Sequence, residues 1–197
     1  MPDLLIENTI DGVVAGVDEA GRGPWAGPVV AAAVVLDKNN IPDGINDSKK
    51  ISQKKRELLY EKILATSLVG VGIASVEDID RLNILQASMY AMQKAVGQLN
   101  RLPDMALIDG NKIPQLSCNA RYVIKGDSIS LSIAAASIIA KVTRDRIMSE
   151  LDGFHPHYLW AKNSGYGTKA HIEAIEKHGI TEHHRKSFKP IAKIIAA

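Results

Sequence analysis

VVAGVDEAGRGP, residues 13–24, is the stretch that determines how this chain folds. Its small and β-branched residues predict a buried strand, at whose end the adjacent acids Asp18 and Glu19 precede a glycine-bracketed arginine. Because side chains alternate between faces along a strand, both acids can enter one site only if the strand stops being regular. The glycines and proline that follow predict such a break, which would let both acids reach a shared cation. A strand running into an ordinary polar turn is the simpler interpretation of the two acids alone.

The composition is that of one ordinary globular domain. The chain has 197 residues, 46% of them hydrophobic and 23% charged, which excludes disordered and fibrous classes. The formal net charge is only +2, yet basic residues cluster at 49–56, 141–146 and 183–189. One such cluster is typical of a solvated face, and the C-terminal half of a helix favours the cations at 141–146. Three clusters together make a polyanionic partner worth considering.

Cysteine content and hydropathy limit the compartment. Cys118 is the only cysteine, so an intrachain disulfide and a cysteine-based zinc site are excluded. The N-terminus lacks the basic start and apolar core of a signal peptide. No uncharged run approaches the ~20 residues that span a membrane. We therefore expect a cytoplasmic protein with no membrane partner.

A dinucleotide-binding fingerprint is matched by Gly21, Gly23 and Ala26, but the context is wrong. That motif must open a helix. Here Pro24, Pro28 and a β-branched apolar run follow, which predict a second strand instead. A nucleotide-binding fold is therefore disfavoured.

The rest of the chain alternates between strand and helix patterns. Strands are predicted at 27–36, 68–74, 105–108 and 120–124, and helices from Ser52 to about Thr66, from Ser75 to about Leu99, from about Ser128 to Leu151 and from about Lys169 to His178. Asp109 and Asp127 follow the last two strands, so acids stand at three strand ends. Because open α/β sheets place their sites at strand ends, we expect these acids to converge.

Two features near the C-terminus leave alternatives open. Tyr166 stands between two glycines, as either a loop anchor or a reader of a base or sugar. His183 and His184 lack the i, i+4 spacing of a helical zinc site, so we expect polar surface or residues that support a nearby site.

Seven motifs in order along the chain resemble those of the type 2 ribonuclease H family, specifically its bacterial ribonuclease HII members. They are DEAGRGP at 18–24, NDSKK at 46–50, IDGN at 108–111, KGD at 125–127, SIAAASIIAKVTRD at 132–145, GYGT at 165–168 and EHHRKSF at 182–188. Trp25 departs from the smaller or aliphatic residue expected at its position.

The resemblance implies a fold and a set of site residues. The fold would be α/β, a ribonuclease H-like mixed sheet flanked by helices, in one domain over 1–197 with about 153–197 as a small helical, substrate-binding C-terminal part. It implies that four carboxylates hold metal: Asp18, Glu19, Asp109 and Asp127. It also implies that Gly21, Arg22 and Gly23 contact nucleic acid around the ribonucleotide, that Tyr166 senses the RNA-to-DNA junction and that Lys49 contacts a backbone phosphate.

The resemblance also implies an activity. The family's members are endonucleases that cut RNA in RNA–DNA hybrids and nick duplex DNA 5′ of a single embedded ribonucleotide, leaving a 3′-hydroxyl and a 5′-phosphate. Such a protein would use two Mg²⁺ or Mn²⁺ ions, serve ribonucleotide excision repair and act as a monomer.

The residue types fit this chemistry independently. Two divalent cations roughly 4 Å apart stabilise the attacking and leaving oxygens of a phosphodiester, and hard cations prefer carboxylate oxygen. A tight Gly-Arg-Gly backbone can detect the 2′-hydroxyl that distinguishes RNA from DNA. Two other classes remain open. A glycosidase using Asp18 or Glu19 as its acid would resist chelators, and a catalytically inactive hybrid-binding module would bind without cutting.

Overall fold

A five-stranded mixed sheet forms the centre of the protein in a computed structural model that describes residues 1–196. The strands are β1 (Val14–Ala20), β2 (Val29–Leu36), β3 (Ser67–Ala74), β4 (Met105–Asp109) and β5 (Asn119–Val123), in the order β3-β2-β1-β4-β5. β1, β2 and β3 pair antiparallel, whereas β4 runs parallel to both β1 and β5. The predicted α/β fold with a mixed sheet is confirmed.

Within residues 1–196, seven α-helices surround the sheet and extend beyond it. They are α1 (Gln53–Thr66), α2 (Val76–Leu82), α3 (Ile84–Gly97), α4 (Leu131–Phe154), α5 (Trp160–Asn163), α6 (Lys169–His178) and α7 (Lys189–Ile195). α1 and α4 cover one face, where they bury Ala32, Val34 and their neighbours. α3 covers the other face over Ala31 and Ala33. Alternation along β2 therefore separates the two cores.

Small residues let the helices lie close to the sheet. A Cβ on Gly16 of β1 would collide with the α4 backbone at Ser132, and one on Gly72 of β3 would collide with the α3 backbone at Ala91. α4 presents Ala134, Ala135 and other small residues to the sheet, all fully buried. This close approach fixes α4 against β1, the strand that carries the first two acids.

The helix starts follow the local capping residues. Ser52 accepts a hydrogen bond from the Lys55 N–H at the start of α1. Ser75 and Asp78 form the predicted capping box of α2. α6 ends at Gly179 as predicted. These boundaries are local in origin, which explains why sequence reasoning located them.

Two helix predictions were wrong in extent. The helix expected from Ser75 to Leu99 is interrupted at Asn83, whose φ is 69° and whose side chain caps α3 through the N–H groups of Leu85 and Gln86. The helix expected from Ser128 begins at Leu131, because residues 126–128 form a 3₁₀ turn and Ser130 is the cap. It also runs on to Phe154, so the cations at 141–146 do not lie in its last turn.

A separate small core lies under the C-terminal part of the chain. It joins α4 and the loop after β1 to the C-terminal helices through Ala26, Met148, Tyr158, Trp160, Ala174, Ile175 and Ile191. Within residues 1–196, no helix is both long and apolar enough to cross a bilayer. The C-terminal residues thus pack directly on the segment that follows the two acids of β1.

Candidate active site

Three carboxylates meet where the central strands end. Asp18 lies near the end of β1, Asp109 is the last residue of the adjacent β4, and Asp127 lies in the 3₁₀ turn before α4. One oxygen atom from each lies within 4.8 Å of the others. The expected convergence of acids therefore occurs for these three.

Burial and mutual repulsion disfavour the ionised form of this cluster. Desolvation, followed by repulsion from Glu19 and Asp109, raises the pKa of Asp18 well above its usual range. Desolvation and the charge of Asp127 raise the pKa of Asp109. Converging carboxylate oxygens with no cation between them are the donor set that Mg²⁺ or Mn²⁺ takes, so these residues fit a divalent cation.

Glu19 reaches the cleft differently from Asp18. The backbone break predicted at Gly21 is present, because β1 ends at Ala20 and Gly21 has a φ of 99°. The break does not redirect the two acids, however, because β1 stays in register with β2 through Ala20. Asp18 therefore projects toward the α4 face, and Glu19 projects from the opposite face and is not part of the three-acid cluster. Its Oε1 accepts from Arg22 at 3.3 Å, whereas its buried Oε2 has no hydrogen-bond partner. That free oxygen also fits a cation ligand.

Lys49 stands beside the acids. Its Nζ lies 3.4 Å from Asp127 Oδ2, although its side chain is 77% exposed. Burial alone would lower the pKa of Lys49, but attraction from Asp127 and Asp18 outweighs that effect and raises it. The lysine thus stays charged at the mouth of the site, within reach of both the acids and solvent.

Two buried arginines hold the loop that follows β1. Arg185 donates to the carbonyls of Gly21 at 2.6 Å, Arg22 at 3.0 Å and Gly27 at 2.9 Å. Arg144 donates to the carbonyls of Ala26 and Pro28 at 3.1 and 3.0 Å.

Neither guanidinium faces a carboxylate within ion-pair distance among residues 1–196. Desolvation lowers the pKa of Arg144 to about 10, and desolvation with repulsion from Arg144 lowers that of Arg185 to about 9. Both stay charged at neutral pH, so the loop is fixed by cations buried among backbone carbonyls.

The interpretation of a basic cluster as a solvated face holds for only some of these residues. Arg144 is 2% exposed and Arg185 is fully buried, as is His184. Arg146, two residues from Arg144, instead pairs at the surface with Glu57 and Glu61. Counting charges along the sequence does not distinguish these cases, because burial depends on which helix face meets the loop. Arg144 and Arg185 are therefore the functional candidates that sequence reasoning missed.

Tyr166 forms the far wall of the cleft. Its ring is half exposed, and a Cβ on Gly23 would lie 3.2 Å from its Cε1. The segment is held by backbone bonds from Trp25 and Ala26 to the Gly165 carbonyl. Trp25 packs against Gly167, where any side chain would collide with the indole. The position of Tyr166 therefore depends on two glycines, Gly23 beside its ring and Gly167 beside Trp25.

A buried histidine pair connects this wall to the C-terminal turn. His171 Nδ1 lies 2.9 Å from the Tyr166 carbonyl, so it carries the proton, and its Nε2 accepts from the Trp160 indole at 3.1 Å. His184 Nε2 lies 3.1 Å from the same His171 atom and must donate to it, while His184 Nδ1 accepts from the Thr181 N–H. Both rings are neutral. Of the two alternatives for His184, the buried ring fits a residue that supports a nearby site and does not fit polar surface.

The cleft between these groups has a volume of about 320 Å³. It is lined by residues from four parts of the chain: Asp18, Glu19, Ala20, Gly21, Arg22, Gly23, Ser48, Lys49, Ser137, Lys141, Arg144 and Tyr166. The lining thus combines two acids, a glycine-arginine-glycine backbone, several cations and an aromatic ring. Such a lining suits an anionic polymer with a sugar ring to be read.

Comparison with known proteins places this arrangement in a family. A family model described as ribonuclease HII matches residues 15–191. A ribonuclease HII from Magnetococcus marinus is 60% identical over 195 residues, covering 98% of this chain and 92% of that protein. One from Wolbachia pipientis is 56% identical over 191 residues, covering 96% and 97%.

A solved structure agrees with the sequence matches. The crystal structure of the ribonuclease H2 from Pyrococcus horikoshii OT3 superposes with a TM-score of 0.79 at 28% identity. The match covers 92% of this chain and 96% of that one. Sequence and fold therefore point to the same group of proteins.

Proposed function

This chain belongs to the ribonuclease HII family and hydrolyses the RNA strand of RNA–DNA hybrids, and we propose that it also nicks duplex DNA 5′ of a single embedded ribonucleotide. The observation that carries the proposal is the adjacency of two features on one short segment. Asp18 and Glu19 lie at the end of β1, and the Gly21-Arg22-Gly23 backbone lining the cleft follows at once. Because the groups that would recognise the 2′-hydroxyl adjoin those that would cleave the phosphodiester, a single ribonucleotide would be a sufficient substrate.

The four carboxylates are the proposed metal ligands. Three of them converge within 4.8 Å, and Glu19 contributes the buried oxygen that has no partner. Bound Mg²⁺ or Mn²⁺ ions would supply the activated water and the stabilisation of charge on the leaving oxygen. Lys49, beside Asp127, is placed to contact the phosphate on the solvent side.

The loop after β1 is the proposed reader of the 2′-hydroxyl. Its carbonyls at Gly21 and Arg22 are held by Arg185, so the backbone groups keep a fixed direction before substrate arrives. A group held in advance loses little entropy on binding, and displacement of the reacting atoms by ~1 Å can cost about a hundredfold in rate. Tyr166, whose half-exposed ring lies against Gly23, would pack on the sugar at the junction.

The C-terminal part, about 153–197, is proposed to complete the substrate-binding surface. It supplies Tyr166 to the cleft and Arg185 to the loop that faces it. Its basic residues other than the buried Arg185, together with Lys49 and its neighbours, would neutralise phosphates. The affinity for nucleic acid would therefore fall as the salt concentration rises.

The deciding experiment uses a labelled duplex DNA that contains one ribonucleotide. We expect Mg²⁺- or Mn²⁺-dependent nicking on the 5′ side of that nucleotide, leaving a 3′-hydroxyl, and no cutting of the all-DNA duplex of identical sequence. A continuous RNA–DNA hybrid is the control for the family activity. Cleavage of the hybrid with an intact single-ribonucleotide duplex would refute the proposal, and cleavage that survives a chelator would refute the metal mechanism.

A further inference from the structure

A second group of metal-ligating side chains lies on residues that do not line the cleft. His155 follows the last residue of α4, and Glu182 and His183 lie in the turn between α6 and α7. One ligand atom from each lies within 4.8 Å of the other two. Among residues 1–196, this group and the three acids are the two sets that meet that criterion.

Separate elements hold the two histidines in place. Both rings pack edge-on against the buried Trp160, with centroid distances of 5.5 Å for His155 and 5.9 Å for His183. The His183 carbonyl accepts from the Gly27 N–H at 2.9 Å, and its own N–H donates to Thr181 Oγ1. The rings are therefore brought together by the fold, since they lie 28 residues apart in the chain.

The three groups do not satisfy one another. Glu182 Oε1 lies 3.9 Å from His183 Nε2, which is longer than a hydrogen bond, and the Glu182 side chain is 81% exposed. The two imidazoles meet at a centroid distance of 5.3 Å with an angle of 68° between planes, so they are not stacked. A tetrahedral ion with bonds of ~2.1 Å needs ligand atoms about 3.4 Å apart. Rotation of the exposed Glu182 side chain can bring its carboxylate closer to the two imidazoles.

The donor types select a different metal from that of the cleft. Two imidazole nitrogens and one carboxylate oxygen suit Zn²⁺, Co²⁺ or Ni²⁺, whereas an all-carboxylate set suits Mg²⁺ or Mn²⁺. Three protein ligands also leave a position open to water. We propose that His155, Glu182 and His183 form a transition-metal site that is distinct from the catalytic carboxylates and is filled by an ion of the Zn²⁺ class.

An ion there would act through the connections of its ligands. It would join the end of α4 to the turn that carries Arg185, two residues after His183. Because Arg185 holds the carbonyls of Gly21 and Arg22, this link would tie the C-terminal part to the loop of the cleft. We expect the bound ion to stabilise the fold and to leave the carboxylates free for their own cations.

Co²⁺ is the probe of choice because its visible absorption reports ligand type and geometry independently of activity. Untagged protein in excess Mg²⁺ is titrated with CoCl₂, and binding is checked by calorimetry with ZnCl₂. We expect one site per chain and a rise in Tm of roughly 5–10 °C at hundredfold excess over the dissociation constant. Glu182→Gln keeps the size of an exposed side chain and should weaken binding at least tenfold, and His183→Ala should abolish the absorption band.

His157→Ala is the matched control, because His157 stacks on His178 at 4.2 Å and belongs to neither ligand set. It should bind Co²⁺ like the parent. Equal binding by the parent and Glu182→Gln, or binding lost in Asp109→Asn but kept in His183→Ala, would overturn the proposal. Co²⁺ absorption and calorimetry are read without the cleavage assay, so this proposal and the proposed nicking activity can fail separately.

Discussion

The acid cluster and the buried histidine pair place like titratable groups side by side, yet they resolve the crowding in opposite ways. Burial raises the pKa of Asp18 and Asp109. Burial, with repulsion from His171, lowers the pKa of His184 to about 4. A neutral imidazole keeps one donor and one acceptor, so two of them can bond each other, whereas ionised carboxylates only accept.

This difference distinguishes a cluster suited to binding a ligand from one that only stabilises the fold. The histidines are complete within the protein, in a chain of hydrogen bonds from Thr181 to the Tyr166 carbonyl. The acids only accept, so they are incomplete without the cation that we propose they bind. A cluster of like groups thus indicates ligand binding only when its members have no means of satisfying one another.

The largest expected effect comes from the incomplete region. Asp109→Asn preserves shape but removes one ligand charge, so nicking should fall by at least about a hundredfold while hybrid binding largely survives. Relief of repulsion should also make the metal-free variant more stable than the parent. Single-turnover nicking with Mg²⁺, binding in EDTA and thermal unfolding measure these effects. Asp43→Asn, at an exposed acid, is the control, and near-normal cleavage by Asp109→Asn would contradict the assignment.

Gly21→Ala tests whether the loop depends on the arginines. Gly21 has a φ of 99°, and a Cβ there would collide with the Arg144 guanidinium stem and lie 2.8 Å from the Pro28 carbonyl oxygen. The substitution would therefore disturb the loop within the protein itself, in addition to any clash of the new methyl group with the sugar of the substrate. We expect lost nicking, metal binding by the acids kept, and a stability loss of about 1–3 kcal/mol from the unfavourable φ and the displaced arginine.

The matched control for this loop variant is Gly153→Ala, inside α4 with open space around it. It should be neutral or stabilising by up to about 1 kcal/mol. Wild-type nicking by Gly21→Ala would show that discrimination lies elsewhere and would shift attention to Tyr166.

Tyr166→Ala tests the wall that the histidine pair supports. Stacking on an aromatic ring is worth about 1–3 kcal/mol, so nicking at a single ribonucleotide should fall roughly ten- to a hundredfold. Affinity for all-DNA duplex should change less. Tyr90→Ala, at an exposed tyrosine of α3 outside the cleft, is the control. An unchanged rate on the single-ribonucleotide substrate would leave Tyr166 as a loop anchor.

The smallest expected effects are on stability, and their dependence on pH differs between the acid cluster and the histidine pair. The raised pKa values of Asp18 and Asp109 mean that their contribution to the stability of the metal-free fold is full below about pH 4 and is lost as pH rises through the raised values. Mg²⁺ should therefore raise Tm more at pH 8 than at pH 5. The same Mg²⁺-induced shift at both pH values, measured by calorimetry, would contradict a repulsive acid cluster.

The histidine pair has the opposite sign. Because the pKa of His184 is lowered to about 4, its contribution is full above the unfolded value of about 6.5 and is lost as pH falls toward 4. The loss is at most about 3 kcal/mol. Urea unfolding between pH 7 and 4 should show a shallower pH dependence for His184→Gln than for the parent. The same pH dependence of stability in both proteins would contradict the contribution of His184.

Sequence reasoning succeeded where the cause was local. The caps at Ser52 and Ser75 and the strand before Asp109 follow from a few neighbouring residues. The convergence of Asp18, Asp109 and Asp127 followed from a general property of strand ends.

Sequence reasoning failed where the cause was tertiary. Nothing near Arg144 or Arg185 shows that their partners are carbonyls from the loop after β1, more than a hundred residues away. Asn83 as a helix break required a positive φ that its neighbours do not signal. The direction of Glu19 was misjudged because the break comes only after Ala20, so both acids still belong to the regular strand and alternate between its faces.

The bond from Arg185 to the Arg22 carbonyl has a consequence for the time at which the enzyme is completed. It joins residues 163 positions apart. At a synthesis rate of ~5–20 residues per second, the chain reaches Arg185 roughly 10–30 s after Arg22. During that interval β1 and its acids are already made, but one clamp on the neighbouring loop is missing. A ribosome-bound chain therefore cannot assemble the finished cleft, and nuclease activity awaits the last steps of translation.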